Sequence, residues 1–308
     1  MNTEYKKITI GVLIFLVFGL TIFPETLFAA SVYLNSNSKN VYPGDVFVVE
    51  ARISSPDELI NVVDGTLLFD RSKATVKELS TGGSAFTLWA EQPSFSNDDG
   101  IVRFIGGVPE GFALENGLIL KIVFSAVKEG NLDVSFSDGS SVFLSDGKGT
   151  KARLETKPIT IPITKRPAQA PLKDEWRDIV GQDTTSPVFI ESLISRDARL
   201  FDNQYFVNFF AVDEDSGIAY YEIKEGDGSF IRAESPYILK DQSLQGSVQI
   251  KAIDKAGNEM AIIPERALAP TVSYAKYLVW LLIFFTACVL FLGVKWFLRT
   301  KVRGGRKK

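Results

Sequence analysis

Hydrophobic and polar positions alternate along much of this chain. Over residues 45–53, Phe47, Val49, Ala51 and Ile53 share one parity, while Glu50 and Arg52 take the other. That is the pattern of a strand with one buried face. Leu118, Leu120, Ile122, Phe124 and Ala126 repeat it, with Lys121 and Ser125 opposite. Further strands are predicted at 32–34, 62–69, 74–79, 101–105, 131–136, 141–144 and 153–163. Pro43-Gly44-Asp45, Asp99-Gly100, Gly106-Gly107, Glu129-Gly130-Asn131 and Asp138-Gly139 punctuate them as turns. No helical period interrupts the series. Many short strands with regular turns predict an all-β fold over 31–163, a jelly-roll β-sandwich.

Prolines, charges and weak periodicity mark 164–187 as a linker, with a short helical turn over 174–180. Alternation resumes at 188–263. Tyr205, Val207, Phe209 and Ala211 make one strand face, and Val248, Ile250 and Ala252 another. Strands are also predicted at 188–194, 218–224, 229–233, 236–239 and 258–263. This density of short strands suits an Ig-like β-sandwich.

Both ends of the chain break the alternation with continuous apolar runs. Residues 8–23 carry no charge, follow Lys6 and Lys7, and lead into Leu27-Phe28-Ala29-Ala30. A basic start, a short apolar core and small residues after it read as a signal peptide over 1–30, cleaved after Ala29 or Ala30. Residues 277–294 are also uncharged and extend through Trp296-Phe297-Leu298. That length spans a bilayer, so 274–298 reads as one transmembrane helix, with 264–273 as a stem. Tyr274, Tyr277, Trp280 and Trp296 sit where amphipathic aromatics favour the membrane interface. The tail at 299–308 carries basic residues and no acid. Positive segments stay inside, so the C-terminus is expected in the cytoplasm and 31–273 outside, at the cell surface.

Composition then narrows the chemistry. Histidine is absent and the one cysteine, Cys288, lies in the last apolar run. Imidazole-activated nucleophiles, His or Cys metal sites and an intrachain disulfide are therefore excluded. Of 34 basic residues 24 fall in 31–273, against 35 of 37 acids. An excess of 11 acids there argues against nucleic acid as a partner. Carboxylate pairs could in principle serve a glycosidase. However, no local motif singles out a pair and no phosphate-binding glycine loop follows a strand. The expectation is a non-catalytic protein without a cofactor.

Four segments in order carry a family resemblance. They are Val41-Tyr42-Pro43-Gly44-Asp45-Val46-Phe47-Val48-Val49, Gly65-Thr66-Leu67-Leu68-Phe69-Asp70, 99–107 (DGIVRFIGG) and 117–124 (GLILKIVF). Together they resemble the cohesin family and the carbohydrate-binding modules that share its jelly roll. The resemblance runs from about Ser31 to Thr150. It implies a nine-stranded jelly roll that binds a dockerin-type protein partner through one sheet face. Cohesins of cellulosomal scaffolds collect polysaccharide-degrading enzymes in this way. This chain departs from that pattern in holding one copy, with no separate cellulose-binding module and no paired calcium loops of dockerin type. In the second region, 213–218 (DEDSGI), Ser235-Pro236-Tyr237 and 252–258 (AIDKAGN) resemble bacterial Ig-like surface repeats. That resemblance implies a spacer or adhesion role.

Two groups of residues stand out as candidate sites. Phe86, Trp89 and Phe95 flank Gly-rich sequence; exposed, they would stack on a sugar or anchor a partner, and otherwise they are core. Asp213, Asp215 and Asp254 would bind calcium if their two turns met, and otherwise cap their own backbone amides and stay solvated. Asn97-Asp98-Asp99-Gly100 reads as a hairpin turn, with too few oxygens for calcium. Three readings follow: a dockerin-type partner, a surface polysaccharide bound directly, or a structural envelope role without a ligand.

Overall fold

The computed structural model describes residues 30–267, 280–286 and 290–291. The chain divides into two compact units, Met1–Pro264 and Glu265–Lys308.

The first unit opens with nine hydrogen-bonded strands: β1 (Ala30–Asn35), β2 (Val46–Phe69), β3 (Ala74–Ser80), β4 (Leu88–Ser96), β5 (Ile101–Ala126), β6 (Gly130–Phe136), β7 (Ser141–Leu144), β8 (Leu154–Lys157) and β9 (Ile159–Ile163). The long strands β2 and β5 pair antiparallel along their length, with register shifts between Ser55 and Ile60. On one side of that break the order is β3-β5-β2-β1-β8. On the other, β4 flanks β5, β7 and β6 flank β2, and β9 joins β6. Phe47, Ile53 and Phe124 from the first half and Leu67, Val102 and Phe104 from the second fill one core. The strands therefore fold over into a sandwich of two sheets that share β2 and β5. We call the half with β1 and β3 sheet one, and the half with β4 and β7 sheet two.

Three features differ from the sequence reading. The strand expected at 153–163 is two strands. Pro158 has no amide to donate, and the chain changes partner there: β8 runs parallel to β1 and β9 antiparallel to β6. Strand β4 was not expected, because Pro93 and polar residues hide its period. It is an edge strand with irregular register around Glu91, the place where a sheet tolerates proline. Gly106-Gly107, read as a turn, lies inside β5. A Cβ on Gly107 would lie 1.8 Å from the Asn61 carbonyl oxygen, so only glycine lets β2 approach this closely.

The 164–187 segment is folded against sheet one. Arg166 pairs with Asp45 at 2.5 Å, and the Val46 amide donates to the Lys173 carbonyl at 2.9 Å. Helix α1 (Glu175–Gln182) follows, where a short turn was expected. Asp174 caps it by accepting from the Arg177 amide. Its apolar side carries Trp176, Ile179 and Val180 onto Val46, Val48 and Val123. Burying such a cluster stabilises the helix more than propensity does at this length.

A second, smaller sandwich completes the unit. One sheet is β14 (Tyr237–Ile238), β11 (Tyr205–Val212) and β10 (Val188–Arg196); the other is β13 (Ile231–Ala233), β12 (Ile218–Glu225), β15 (Val248–Asp254) and β16 (Glu259–Ile262). Ile194, Val207, Phe209, Ile223, Leu239, Val248 and Ile250 form its core.

In the second unit, Glu265–Arg266 is extended and 280–286 is helical. Trp280, Leu281, Leu282, Ile283, Phe284 and Phe285 are exposed. Among the described residues no helix is long and apolar enough to cross a membrane. The expected signal peptide lies outside the described residues up to Ala30, as do most of the stem and transmembrane segment and all of the basic tail.

Candidate functional site

The two sheets of the first sandwich present unlike outer faces. At the centre of sheet one, outward Val46, Val48 and Val123 lie under Trp176. Beside them, Glu78 accepts from the Trp176 indole at 2.9 Å and pairs with Lys255 at 2.6 Å. The Ser80 hydroxyl donates to the Ser216 carbonyl at 2.8 Å, and the Lys121 ammonium to the Asp215 carbonyl at 2.6 Å. Burial lowers the Lys121 pKa, against the raising charges of Glu50, Asp215, Asp213 and Asp183. Helix α1 and the second sandwich thus cover this face.

Among the described residues, sheet two has no such cover. Its alternation leaves Val62, Asp64, Thr66 and Leu68 of β2 outward, beside Ile105, Arg103 and Ile101 of β5. Ser94 and Ser96 of β4 continue the surface on one side and Phe143 of β7 on the other. Leu68, near the end of β2 and paired with Ile101, is 42% exposed. The surface mixes aliphatic and small polar side chains with Arg103 and the carboxylate of Asp64. Among the described residues no row of flat aromatics lies on it; Phe143 has the Lys151 ammonium 5.7 Å from its ring.

The three aromatic candidates do not form one patch. Phe86 is 1% exposed and packs on Trp89 and Phe112 with ring centroids 5.3 and 5.7 Å away. Trp89 is half-buried and meets Phe104 edge-on at 6.1 Å. These two belong to the core. Phe95 is 42% exposed, but it pairs in register with inward Val102, at the margin of the core rather than on the open face.

The acidic candidates come together differently from expectation. Asp213 and Asp254 do meet, but the third member is Asp183, which follows α1. One carboxylate oxygen from each of Asp183, Asp213 and Asp254 lies within 4.8 Å of the others, and all three side chains are buried. Asp215 is exposed and contributes its carbonyl to Lys121 instead. Their own turns explain part of this geometry. Asp213 Oδ1 accepts from the Gly217 amide at 2.6 Å and the Asp215 amide at 3.2 Å. Asp254 Oδ1 accepts from the Asn258 amide at 2.8 Å and Oδ2 from its side-chain amide at 2.9 Å. Asp183 Oδ1 accepts from Thr185, and Oδ2 from the Ser216 amide at 3.1 Å. So the capping expected of these residues is present, yet the groups are not solvated. Burial raises the Asp213 pKa most; the Gly217 hydrogen bond opposes it, and the charges of Asp183 and Asp254 add to the rise. Asp183 escaped the sequence reading because its signal, one acid in a proline-rich linker, looks like any solvated linker charge.

No family model matches this sequence, and no curated protein does. Solved structures that match include cohesin domains. A non-cellulosomal cohesin from the hyperthermophilic archaeon Archaeoglobus fulgidus is 13% identical, with 44% of this chain and 91% of that chain covered, at a TM-score of 0.37. A cohesin module from a Clostridium perfringens family 33 glycoside hydrolase is 9% identical, covering 46% and 100%, at 0.38. A type I cohesin–dockerin complex from Clostridium thermocellum gives 13%, 45% and 96%, at 0.37.

Proposed function

We propose that this chain is a non-catalytic binding protein whose first sandwich takes a dockerin-type protein partner on the outer face of sheet two. The observation that supports this most is the asymmetry of the two faces: one is occupied by the chain itself, while the other is open among the described residues, mixed in polarity, and carries exposed Leu68. Protein interfaces combine an apolar centre with a polar surround, whereas sugars are gripped by flat exposed rings. The motif resemblance of 41–124 to cohesins supplies the partner class.

Under this reading the second sandwich is an Ig-like spacer. Residues 274–298 hold the protein in the cell membrane, with 31–273 outside and the C-terminus in the cytoplasm. The partner would be fixed at the surface, with polysaccharide breakdown as one setting. A purely structural role would call for a wide apolar seam between the sandwiches. The seam instead is built on Ser80, Lys121 and Lys255 donating to backbone carbonyls.

The test is capture by the full-length chain, reconstituted in nanodiscs, from a panel of dockerin-type domains and a panel of polysaccharides. Saturable capture of a dockerin-type domain without glycan retention is expected. Saturable retention on a polysaccharide with no capture of any dockerin-type domain would overturn the reading.

A further inference from the structure

The three buried acids lie where the linker, the β11–β12 turn and the β15–β16 turn converge. Asp213 is 4% exposed, and its Oδ2 has no hydrogen-bond donor among the described residues. A buried carboxylate oxygen without a donor is costly, and two further carboxylates beside it make it more so. The turns use the other oxygens of the cluster, as described above, but no donor reaches this one. Buried Lys121 interacts by charge with Glu50 and Asp215 before Asp213 and Asp183, and its hydrogen bond goes to the Asp215 carbonyl rather than to a carboxylate of the cluster. Three carboxylates held this close, with no cation bonded to them among the described residues, make a setting for a metal ion.

We propose that Asp183, Asp213 and Asp254 form a calcium site at the junction of the two sandwiches. The donors are all hard oxygens, and with no histidine in the chain and Cys288 far along the sequence, nitrogen- or sulfur-seeking metals find no ligand here. Calcium accepts six to eight oxygens in irregular geometry, so three carboxylates joined by carbonyls or water suffice; magnesium demands a stricter octahedron. This inference is independent of what the open face binds.

The site has a mechanical consequence. The turn that carries Asp213 also makes the seam: the Gly83 amide donates to the Asp213 carbonyl at 2.8 Å, Ser80 to Ser216 and Lys121 to Asp215. Asp183 ends the helix that covers sheet one. A cation held by all three acids therefore ties the linker and both turns together. It sets the angle at which the first sandwich stands on the second.

The test uses the full-length chain in detergent micelles, stripped of metal with a chelator. Calorimetric titration with calcium chloride is expected to show one saturable site per chain, with thermal midpoint rising with calcium and little response to magnesium. Asp213→Asn keeps an oxygen for the Gly217 and Asp215 amides while removing the charge. It is expected to lose saturable binding and to be no less heat-stable than the parent in chelator. Asp183→Asn provides a second loss-of-binding variant, and Asp215→Asn is expected to bind as the parent does. No saturable calcium binding by the parent up to about 10 mM, weaker than extracellular calcium modules, overturns the site. So does undiminished binding by both Asp213→Asn and Asp183→Asn, or loss confined to Asp215→Asn. A cluster stabilised by acid but indifferent to calcium holds a proton instead, and that also overturns it.

Discussion

Replacing Asp45 by alanine should unfasten the linker from the first sandwich. The side chain is almost fully buried. Its Oδ1 accepts from Arg166 at 2.5 Å and from the Lys173 amide at 3.0 Å, and its Oδ2 accepts from the Tyr42 amide at 3.0 Å. Removing one partner of a buried ion pair costs about 3–5 kcal/mol. Arg166 is partly exposed and keeps the Pro43 carbonyl at 3.0 Å and the Pro171 carbonyl at 2.5 Å, which reduces its own loss. Two backbone amides lose their acceptor at about 1 kcal/mol each. Together these place Asp45→Ala at about 3 kcal/mol. Asp45→Asn keeps one oxygen and the shape but loses the charge, and about half that cost is expected.

The charge also has a pH signature. Burial pushes the Asp45 pKa up, but hydrogen bonds from the Lys173 amide, Arg166 and the Tyr42 amide outweigh it and hold it below the ordinary 3.8. A depressed carboxylate contributes stability above its unfolded pKa and loses it as pH falls through the folded one. The parent's advantage over Asp45→Asn should therefore be full near neutrality and shrink below about pH 4. Urea unfolding of the full-length chain, followed by tryptophan emission at several pH values, reads both effects. An alanine cost under about 0.5 kcal/mol, the range of ordinary surface changes, would refute the reasoning. So would a cost for Asp45→Asn that persists unchanged into acid.

Three further outcomes follow from the packing. Phe86→Ala should cost about 3–5 kcal/mol and Phe95→Ala well under about 1 kcal/mol in the same unfolding assay, because only Phe86 is enclosed. Gly107→Ala should misfold or lose several kcal/mol, since its Cβ would meet backbone at 1.8 Å; a soluble variant with an unchanged midpoint would contradict the close strand approach. Trp176→Ala should cost about 3 kcal/mol and raise amide exchange over 175–182, while Trp176→Phe, which keeps most of the apolar contact with Val46, Val48 and Val123, should cost less than half as much.

Much of the sandwich was legible because its strands bury one face. Phe47, Val49, Ala51 and Ile53 point into the core in the order their parity predicts, and so do Leu120, Ile122, Phe124 and Ala126. What escaped the reading was long-range. Val46, Val48 and Val123 look like ordinary strand residues, and only the fold shows that Trp176 from a proline-rich segment covers them. Pro43-Gly44-Asp45 reads as a generic turn, yet Asp45 reaches residues more than 120 positions away. The acidic turns were visible as motifs, and their two aspartates do meet. Membership of the cluster was not visible, because Asp183 arrives from a segment without periodicity and Asp215 turns outward. Gly-Gly inside a strand was mistaken for a turn for the same reason: the space it vacates belongs to a neighbour far along the chain.

The central claim is that the partner docks on sheet two. The most direct measurement is binding of a captured dockerin-type domain, by surface plasmon resonance, to the full-length parent, to Leu68→Asp, to Arg103→Glu and to Glu50→Lys. Leu68 and Arg103 lie on the open face, and Glu50 on the opposite sheet beside Arg52. A charge in place of an exposed apolar side chain on the docking face should weaken binding at least about 100-fold, near 3 kcal/mol, for Leu68→Asp, with a smaller loss for Arg103→Glu and none for Glu50→Lys. Unchanged binding by Leu68→Asp, or a loss confined to Glu50→Lys, would contradict the account.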